Sequence, residues 1–515
     1  MKLTFFETSD IHGYISPTNY AGGQNLAIGA AKVAAKLKKL RAQAEGPIIT
    51  IENGDFIQGS PLSYYVAKNQ QWLPDFTRVI NAMSYDVQVL GNHEFNYGLD
   101  YLKRVIASYN APVLAANILD EEGQPCFGKG YTIIKKEGIK VAVLGLVTQY
   151  IPHWEQPAFI QGMYFESAVA TAKRLIPELR ELADIVVVSY HGGFEKSLED
   201  GKATEQLTGE NEGYQLLHEV AGIDALFTGH QHREIAAVIN GVPVVQPGYR
   251  GSRIGEIELT IKSEDGTVVV TAASAKLHSV ADIEADAQIL SEVKALDAEL
   301  ENWLDQPLGR VNGSMEIQDP MLARLVEHPY IEFINQVQLS ASGAEISGTA
   351  LFNNEGTGFK ETITMRDIIT NYIYPNTLAV VKISGADLRA ALEQTAGYLA
   401  VEKNRIVFNP AFIKPKPQYY NYDMYEGIAY TIDVSKPSGQ RITRLLFQEN
   451  EIKADQMFEV VINQYRAVGG GNYGMFDSGK IVREIQVDMT ELIADYLREN
   501  PVIEATTNEN FQVIL

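Results

Sequence analysis

Five times within its first 232 residues the chain runs an apolar, strand-type segment straight into a short loop bearing Asp, Asn or His. The segments are "LTFFETSDIHG", "PIITIENGD", "DVQVLGNHE", "DIVVVSYHGG" and "IDALFTGHQH". Between the first two, Leu26, Ala30, Val33, Leu37 and Leu40 recur at intervals of four and three, which predicts an amphipathic helix. Strands alternating with helices point to α/β layering. From Val242 to Val270 the pattern turns β-rich, as expected of strands that close off such a domain.

In an open α/β sheet the loops at the carboxyl ends of the strands meet in one crevice. Read in order, those ends offer Asp10 and His12, Asp55, Asn92 and His93, His191, then His230 and His232. Five of the nine histidines of the chain sit there. Each residue has an ordinary alternative. Asp10, Asp55 or Asn92 alone suits a helix cap or turn; His191 alone suits a hydrogen-bonded structural histidine, and His230 and His232 a surface loop. All of these would have to hold independently at five strand ends. Carboxylate, amide and imidazole donors without sulfur suit Mn²⁺, Fe²⁺, Co²⁺, Ni²⁺ or Zn²⁺. Seven candidate ligands, Asp10, His12, Asp55, Asn92, His191, His230 and His232, match two adjacent divalent ions that share one carboxylate.

At 515 residues the chain is too long for one hydrophobic core. Ile289, Val293, Leu296, Leu300 and Leu304 define a helix stopped by Pro307 and Gly309, and a new mixed pattern follows. Residues 1–280 are therefore expected to form the first domain, 281–307 a connecting helix and 308–515 the second domain. The net charge of −22 repels polyphosphate backbones, which excludes duplex nucleic acid as a partner. A small anionic substrate needs local positive charge, which bound metal supplies. The single Cys126 excludes an internal disulfide and a thiolate-rich metal site. The opening "MKLTFFETSDIHG" has no long apolar h-region, and no run approaches the ~20 apolar residues of a membrane helix. The expectation is a protein without a membrane partner, cytoplasmic as the sequence stands, or secreted or periplasmic if a leader was removed.

"DIHG", Gly54–Asp55, "GNHE", the His191 loop and "GHQH" resemble the five motif blocks of the calcineurin-like metallophosphoesterases. The second half is similar to the domain that follows in bacterial 5′-nucleotidases and 2′,3′-cyclic-nucleotide 2′-phosphodiesterase/3′-nucleotidases. The resemblance implies a four-layer α/β/β/α metallophosphoesterase domain followed by an α/β nucleotide-binding domain. It also implies that Asp10, His12, Asp55 and His232 hold one ion and Asp55, Asn92, His191 and His230 the other, with Asp55 bridging. His93 then faces the substrate, while Glu94 starts a helix or supports the site. Two cations about 3.5–4 Å apart bind phosphate oxygens and lower the pKa of a shared water toward ~7, so direct hydrolysis without a covalent intermediate is expected.

In the resembling families one aromatic from each of two stretches clamps the base. The matching stretches are "NYIYPNTLAVV" and "INQYRAVGGGNYG", and the matching residues Tyr374 and Tyr465. A base between two rings gains roughly 1–3 kcal/mol per stacked face. Gly469, Gly470 and Gly471 allow close backbone approach to a ligand, as a plain glycine turn also would. Asn353 and Asn354 match an asparagine–glycine substrate loop, but the arginine that follows it in 5′-nucleotidases is missing, with Lys360 nearby. Many 5′-nucleotidases also carry aspartate at the place of Asn96. Asn96, the tyrosine pair, "YPNTL" and "YNYDMYEGIAYTIDVSKPSGQRI" look more like the cyclic-phosphodiesterase/3′-nucleotidase branch. The expected substrates are accordingly nucleotides and cyclic nucleotides, with a 5′-nucleotidase as the nearest enzyme alternative and an inactive nucleotide-binding module as the non-catalytic one.

Overall fold

The computed structural model of the chain describes every residue except 205, 206, 265, 266, 375, 415 and 486, with the side chains of 263, 264 and 267 also left undescribed. Pro375, inside the first tyrosine stretch, thus lies outside the described residues. Two compact units are present, Met1–Leu300 and Glu301–Leu515.

The first unit contains two six-stranded sheets. In one, Lys2–Thr8, Ile48–Glu52, Val87–Val89 and Val113–Leu114 run parallel. The long hairpin strands Arg253–Glu264 and Thr267–Ser279 extend it antiparallel beyond Lys2–Thr8. In the other, Ile139–Val147, Ile185–His191, Ala225–Thr228 and Val242–Pro247 are parallel. Tyr131–Lys136 and Glu234–Ile239 form its antiparallel edges.

Successive strand side chains point to opposite faces, so each sheet must cover two surfaces. Leu3, Phe5, Ile49, Ile51, Val87 and Val89 of one sheet interlock with Val141, Val143, Ile185, Val187 and Phe227 of the other. The alternate set on the second sheet, including Leu144, Val186 and Val188, packs against Ala172, Ile176 and Leu179 of helix Ala168–Leu182 and Leu216 of helix Gly213–Glu219. Helices Ala30–Gln43, Pro61–Lys68, Leu73–Ala82 and Leu99–Ser108 make the crossovers of the first sheet. The result is the four-layer α/β/β/α arrangement. Each fully buried aliphatic side chain between the sheets contributes roughly 1.5–3 kcal/mol.

The first helix begins later than its apolar spacing predicts. Gly29 turns the chain with φ 97° and donates its N–H to Arg250 O at 2.7 Å. Leu26 therefore stays in the preceding loop, its own N–H bonded to Pro17 O. By contrast, Ile289, Val293, Leu296, Leu300 and Leu304 are all buried along helix Ala287–Leu304.

The second unit is built on a five-stranded mixed sheet in the order Asp423–Glu426, Ile346–Ala350, Met457–Asn463, Leu378–Ser384 and Ile481–Ile485. Helix Pro329–Ser342 packs against it. Two arginines are fully buried in this unit, Arg324 and Arg466. Arg466 Nε pairs with Asp423 Oδ2 at 2.6 Å, and its guanidinium lies 3.9 Å from the centroid of the Tyr473 ring. A buried pair of this kind tolerates loss of neither partner, because the remaining charge stays desolvated.

Candidate metal centre

The parallel strands of both sheets of the first unit end in the loops that carry the polar residues. The close approach of two of these loops depends on glycine. Gly54 has φ 88°, and a Cβ there would sit 2.4 Å from Gly91 N; a Cβ on Gly91 would sit 2.3 Å from Asp55 Oδ1. Five non-glycine residues of the same loops also adopt left-handed backbone: Asp10 (φ 55°), His12 (55°), Asp55 (58°), His230 (67°) and His232 (57°). This conformation costs on the order of 1 kcal/mol for a residue with a Cβ, and such residues collect at functional sites.

The side chains form two groups. Asp10, His12 and His232 offer ligand atoms all within 4.8 Å of one another, and so do Asp55, His191 and His230. Asn92 joins the second group, its Oδ1 2.8 Å from His230 Nδ1. His93 lies beside both: its backbone N–H donates to Asp55 Oδ1 at 2.8 Å, and its ring centroid is 5.3 Å from that of His12.

Surrounding groups fix these side chains. Ser9 Oγ donates to Asp10 Oδ2 at 2.6 Å, and the His230 N–H donates to the same carboxylate. Glu94 resolves its own role: its carboxylate accepts from the backbone N–H groups of Asp55 (2.8 Å), Phe56 (2.8 Å) and Gly91 (2.6 Å), tying the two glycine loops together. His12 Nδ1 faces Gln58 O at 2.9 Å, and His191 Nδ1 faces Asn53 O at 2.6 Å. Carbonyl oxygens only accept, so both Nδ1 atoms carry a hydrogen and both Nε2 atoms are turned toward the cluster. His230 Nε2 is 2.9 Å from Glu210 Oε1, which leaves its Nδ1 for the centre.

These observations fit two divalent ions. His12 Nε2 and His232 Nε2 face each other at 2.9 Å, and buried His191 Nε2 lies 3.1 Å from Asp55 Oδ2. Imidazoles oriented by carbonyl or carboxylate partners are the usual form of a histidine ligand. The side chains are also electrostatically coupled. Burial and the facing His232 ring push the His12 ring down to about 3, keeping it neutral. Burial alone would raise the Asp55 carboxyl, but the His191, His93 and His12 rings outweigh it and hold it well below the ordinary range. His191 responds in the opposite sense: burial lowers it, and the Asp55 carboxylate more than compensates, to about 10.

A second line of contacts leads away from His93. Its Nδ1 is 2.6 Å from Asn96 Oδ1, and Asn96 Nδ2 donates to Glu155 Oε1. Burial pushes the Glu155 carboxyl up to about 8 against the lowering effect of the Asn96 hydrogen bond. Glu155, Glu210 and the Gln58 and Asn53 carbonyls have no signature in the sequence, because each is joined to the side chain it holds only by the tertiary fold.

In the second unit, Tyr374 and Tyr465 each lie 6.4 Å from Tyr420, centroid to centroid, at 72° and 67°. Tyr420 opens the "YNYDMYEG" stretch but carries no local signal for its edge contacts with the other two rings. Arg466 ties this region together, donating to Gly470 O, Tyr420 O and Asn421 Oδ1. Gly469 and Gly471 take φ 93° and 71° in the same loop. Asn353 Oδ1 accepts from the Glu355 and Gly356 N–H groups at 2.8 Å. Asn354 Oδ1 accepts from Arg324 Nη1, also at 2.8 Å. Both asparagine oxygens are thus engaged in shaping their own loop. Among the described residues no helix is long and apolar enough to cross a membrane.

Residues 3–234 match the calcineurin-like phosphoesterase family, and residues 308–478 match the 5′-nucleotidase C-terminal domain. The chain is 30% identical to the 2′,3′-cyclic-nucleotide 2′-phosphodiesterase/3′-nucleotidase of Salmonella typhimurium, over 93% of this chain and 83% of that protein. It is 27% identical to the trifunctional nucleotide phosphoesterase protein YfkN of Bacillus subtilis, of whose length it spans 39%. A Staphylococcus aureus crystal structure assigned as a 5′-nucleotidase superposes with a TM-score of 0.94 at 39% identity, covering 100% of both chains. With both halves matched and the paired donor groups in place, the chain belongs to the calcineurin-like phosphoesterases that carry a 5′-nucleotidase C-terminal domain, a family of phosphoester hydrolases.

Proposed function

We propose that the protein is a 2′,3′-cyclic-nucleotide 2′-phosphodiesterase with 3′-nucleotidase activity. The reading rests above all on the two donor groups lying side by side with His93 against both. In it Asp10, His12, Asp55 and His232 hold one ion, and Asp55, Asn92, His191 and His230 the other. Two divalent ions of the nitrogen- and oxygen-ligated class supply positive charge to the phosphate oxygens and acidify water. The protein's own contribution is geometric. Asp55 keeps the His93 backbone in place, and the Asn96 oxygen holds the Nδ1 edge of the ring. With the ring protonated on both nitrogens, the Nε2 edge is the one that donates a proton to the leaving sugar oxygen or stabilises phosphate charge. No side-chain nucleophile is required, so water attacks phosphorus directly.

The cyclic-nucleotide branch is favoured by Asn96 and by the name of the Salmonella relative at 30% identity. A 5′-nucleotidase is the second reading, favoured by the Staphylococcus structure at 39% identity. Incubation of the Mn²⁺-loaded protein with 2′,3′-cyclic AMP, 3′-AMP and 5′-AMP, followed by chromatography, separates them. The proposal expects loss of the first two with 5′-AMP spared; preferential loss of 5′-AMP transfers the assignment to the second reading.

Tyr374 and Tyr465 are proposed to bind the base, with Asn353, Asn354, Gly469 and Gly470 shaping that site. Either tyrosine changed to alanine is expected to raise KM roughly 5- to 150-fold, the equivalent of about 1–3 kcal/mol of stacking, with a smaller change in kcat. A KM unchanged in both variants would remove the rings from the substrate site.

A further inference from the structure

We infer that Glu155 is a positioning residue for His93, acting through the Asn96 amide: it fixes which way the amide faces and so which ring nitrogen presents a hydrogen to Asn96. The inference rests on His93 being the histidine at the reacting phosphate.

An asparagine amide can be turned end for end at little steric cost, exchanging a donor for an acceptor. Left alone, Asn96 could show His93 either its oxygen or its NH₂. With the oxygen toward the ring, Nδ1 carries the hydrogen and Nε2 is the nitrogen available to substrate. With the NH₂ toward the ring, Nδ1 must be a bare acceptor and the hydrogen of the neutral ring moves to Nε2. Glu155 removes the choice. Its Oε1 takes the Asn96 Nδ2 hydrogen, which holds the NH₂ end of the amide at Glu155. The amide oxygen is thereby directed at His93 Nδ1, 2.6 Å away.

Glu155 is itself placed firmly. It follows the short helical turn Ile151–His153, donates its N–H to Ile151 O at 3.1 Å, and is 8% exposed. Its neighbour Trp154 lies 5.5 Å from the His230 ring, so this loop is anchored at the donor cluster as well. The burial of a carboxylate here is otherwise unexplained, since the reaction does not use it and no cation pairs with it among the described contacts. The carboxylate that would touch the histidine directly, were residue 96 an aspartate, instead stands one residue further out, with an amide between.

The test uses the Zn²⁺-loaded full chain, which is diamagnetic. ¹⁵N resonances of the imidazole are assigned to His93 by their disappearance in H93Q and recorded on the neutral ring. Wild type and E155Q, whose amide oxygen can accept the same hydrogen, are expected to show hydrogen on Nδ1. E155L is expected to shift toward the Nε2–H form and to lose about 10- to 100-fold in kcat, with KM close to wild type. N96D/E155L is expected to regain most of that loss, because an aspartate accepts from Nδ1–H without help. An E155L ring spectrum identical to wild type overturns the inference. So does an E155Q variant as impaired as E155L, or a double variant no better than E155L. The spectrum is read without turnover, so full activity in a His93→Ala variant would strike the catalytic assignment while leaving the ring orientation separately decided.

Discussion

A His93→Ala variant is expected to lose about 10²–10⁴-fold in kcat on its preferred nucleotide while binding the same amount of metal per chain as wild type. The separation follows from the contacts. The His93 ring is held at Nδ1 by Asn96, and its ring is not what orients any donor nitrogen of the two groups. The hydrogen bond from His93 to Asp55 comes from the backbone N–H, which alanine retains. Glu94 goes on joining the Asp55 and Gly91 loops through backbone donors alone. Metal analysis and steady-state kinetics on one preparation check both halves. Wild-type turnover with normal metal content would end the assignment of His93 to the chemistry.

Asp55→Asn is expected to abolish turnover by the opposite route, lowering the bound metal from about two ions per chain to one or fewer. The substitution preserves shape, and its oxygen still accepts from the His93 N–H. What disappears is the negative charge that the His191, His93 and His12 rings hold in place. Without it His191, raised to about 10 by that carboxylate, has less reason to hold a proton, so the imidazole set survives but the anionic ligand does not. Element analysis after desalting reads the loss directly. Two ions retained per chain would show that Asp55 is not the shared ligand.

The gathering of the donor residues was legible because they stand at the ends of strands. Asp10, Asp55, Asn92, His191 and His230 each follow an apolar run that folds as a parallel strand, and parallel strand ends converge by topology. The residues that orient them were not legible. Glu155 is 59 positions from Asn96 and Glu210 is 20 from His230, with no periodicity connecting either pair. In a sequence a buried carboxylate reads like any solvated charge, since charged side chains are seldom buried. Arg466 and Arg324 were hidden for the same reason, although one gathers the glycine loop and Tyr420 and the other occupies Asn354. The start of the first helix failed differently: the spacing of Leu26 fits the apolar stripe, but a glycine turn and a bond to Arg250 decide where the helix begins.

The division of the donors between the two sheets has a consequence for how the molecule is made. One group draws Asp10 and His12 from the end of the first sheet and His232 from the second; the other draws Asp55 and Asn92 from the first and His191 and His230 from the second. Neither set exists until the two halves of the sandwich have met, and during synthesis neither is complete before residue 230 has left the ribosome. A partly folded chain holding only the first sheet can offer an ion three oxygen donors and one imidazole, but not either finished set. In the proposed reading, metal capture follows sheet docking, so that the ions would act as a late clasp on assembly.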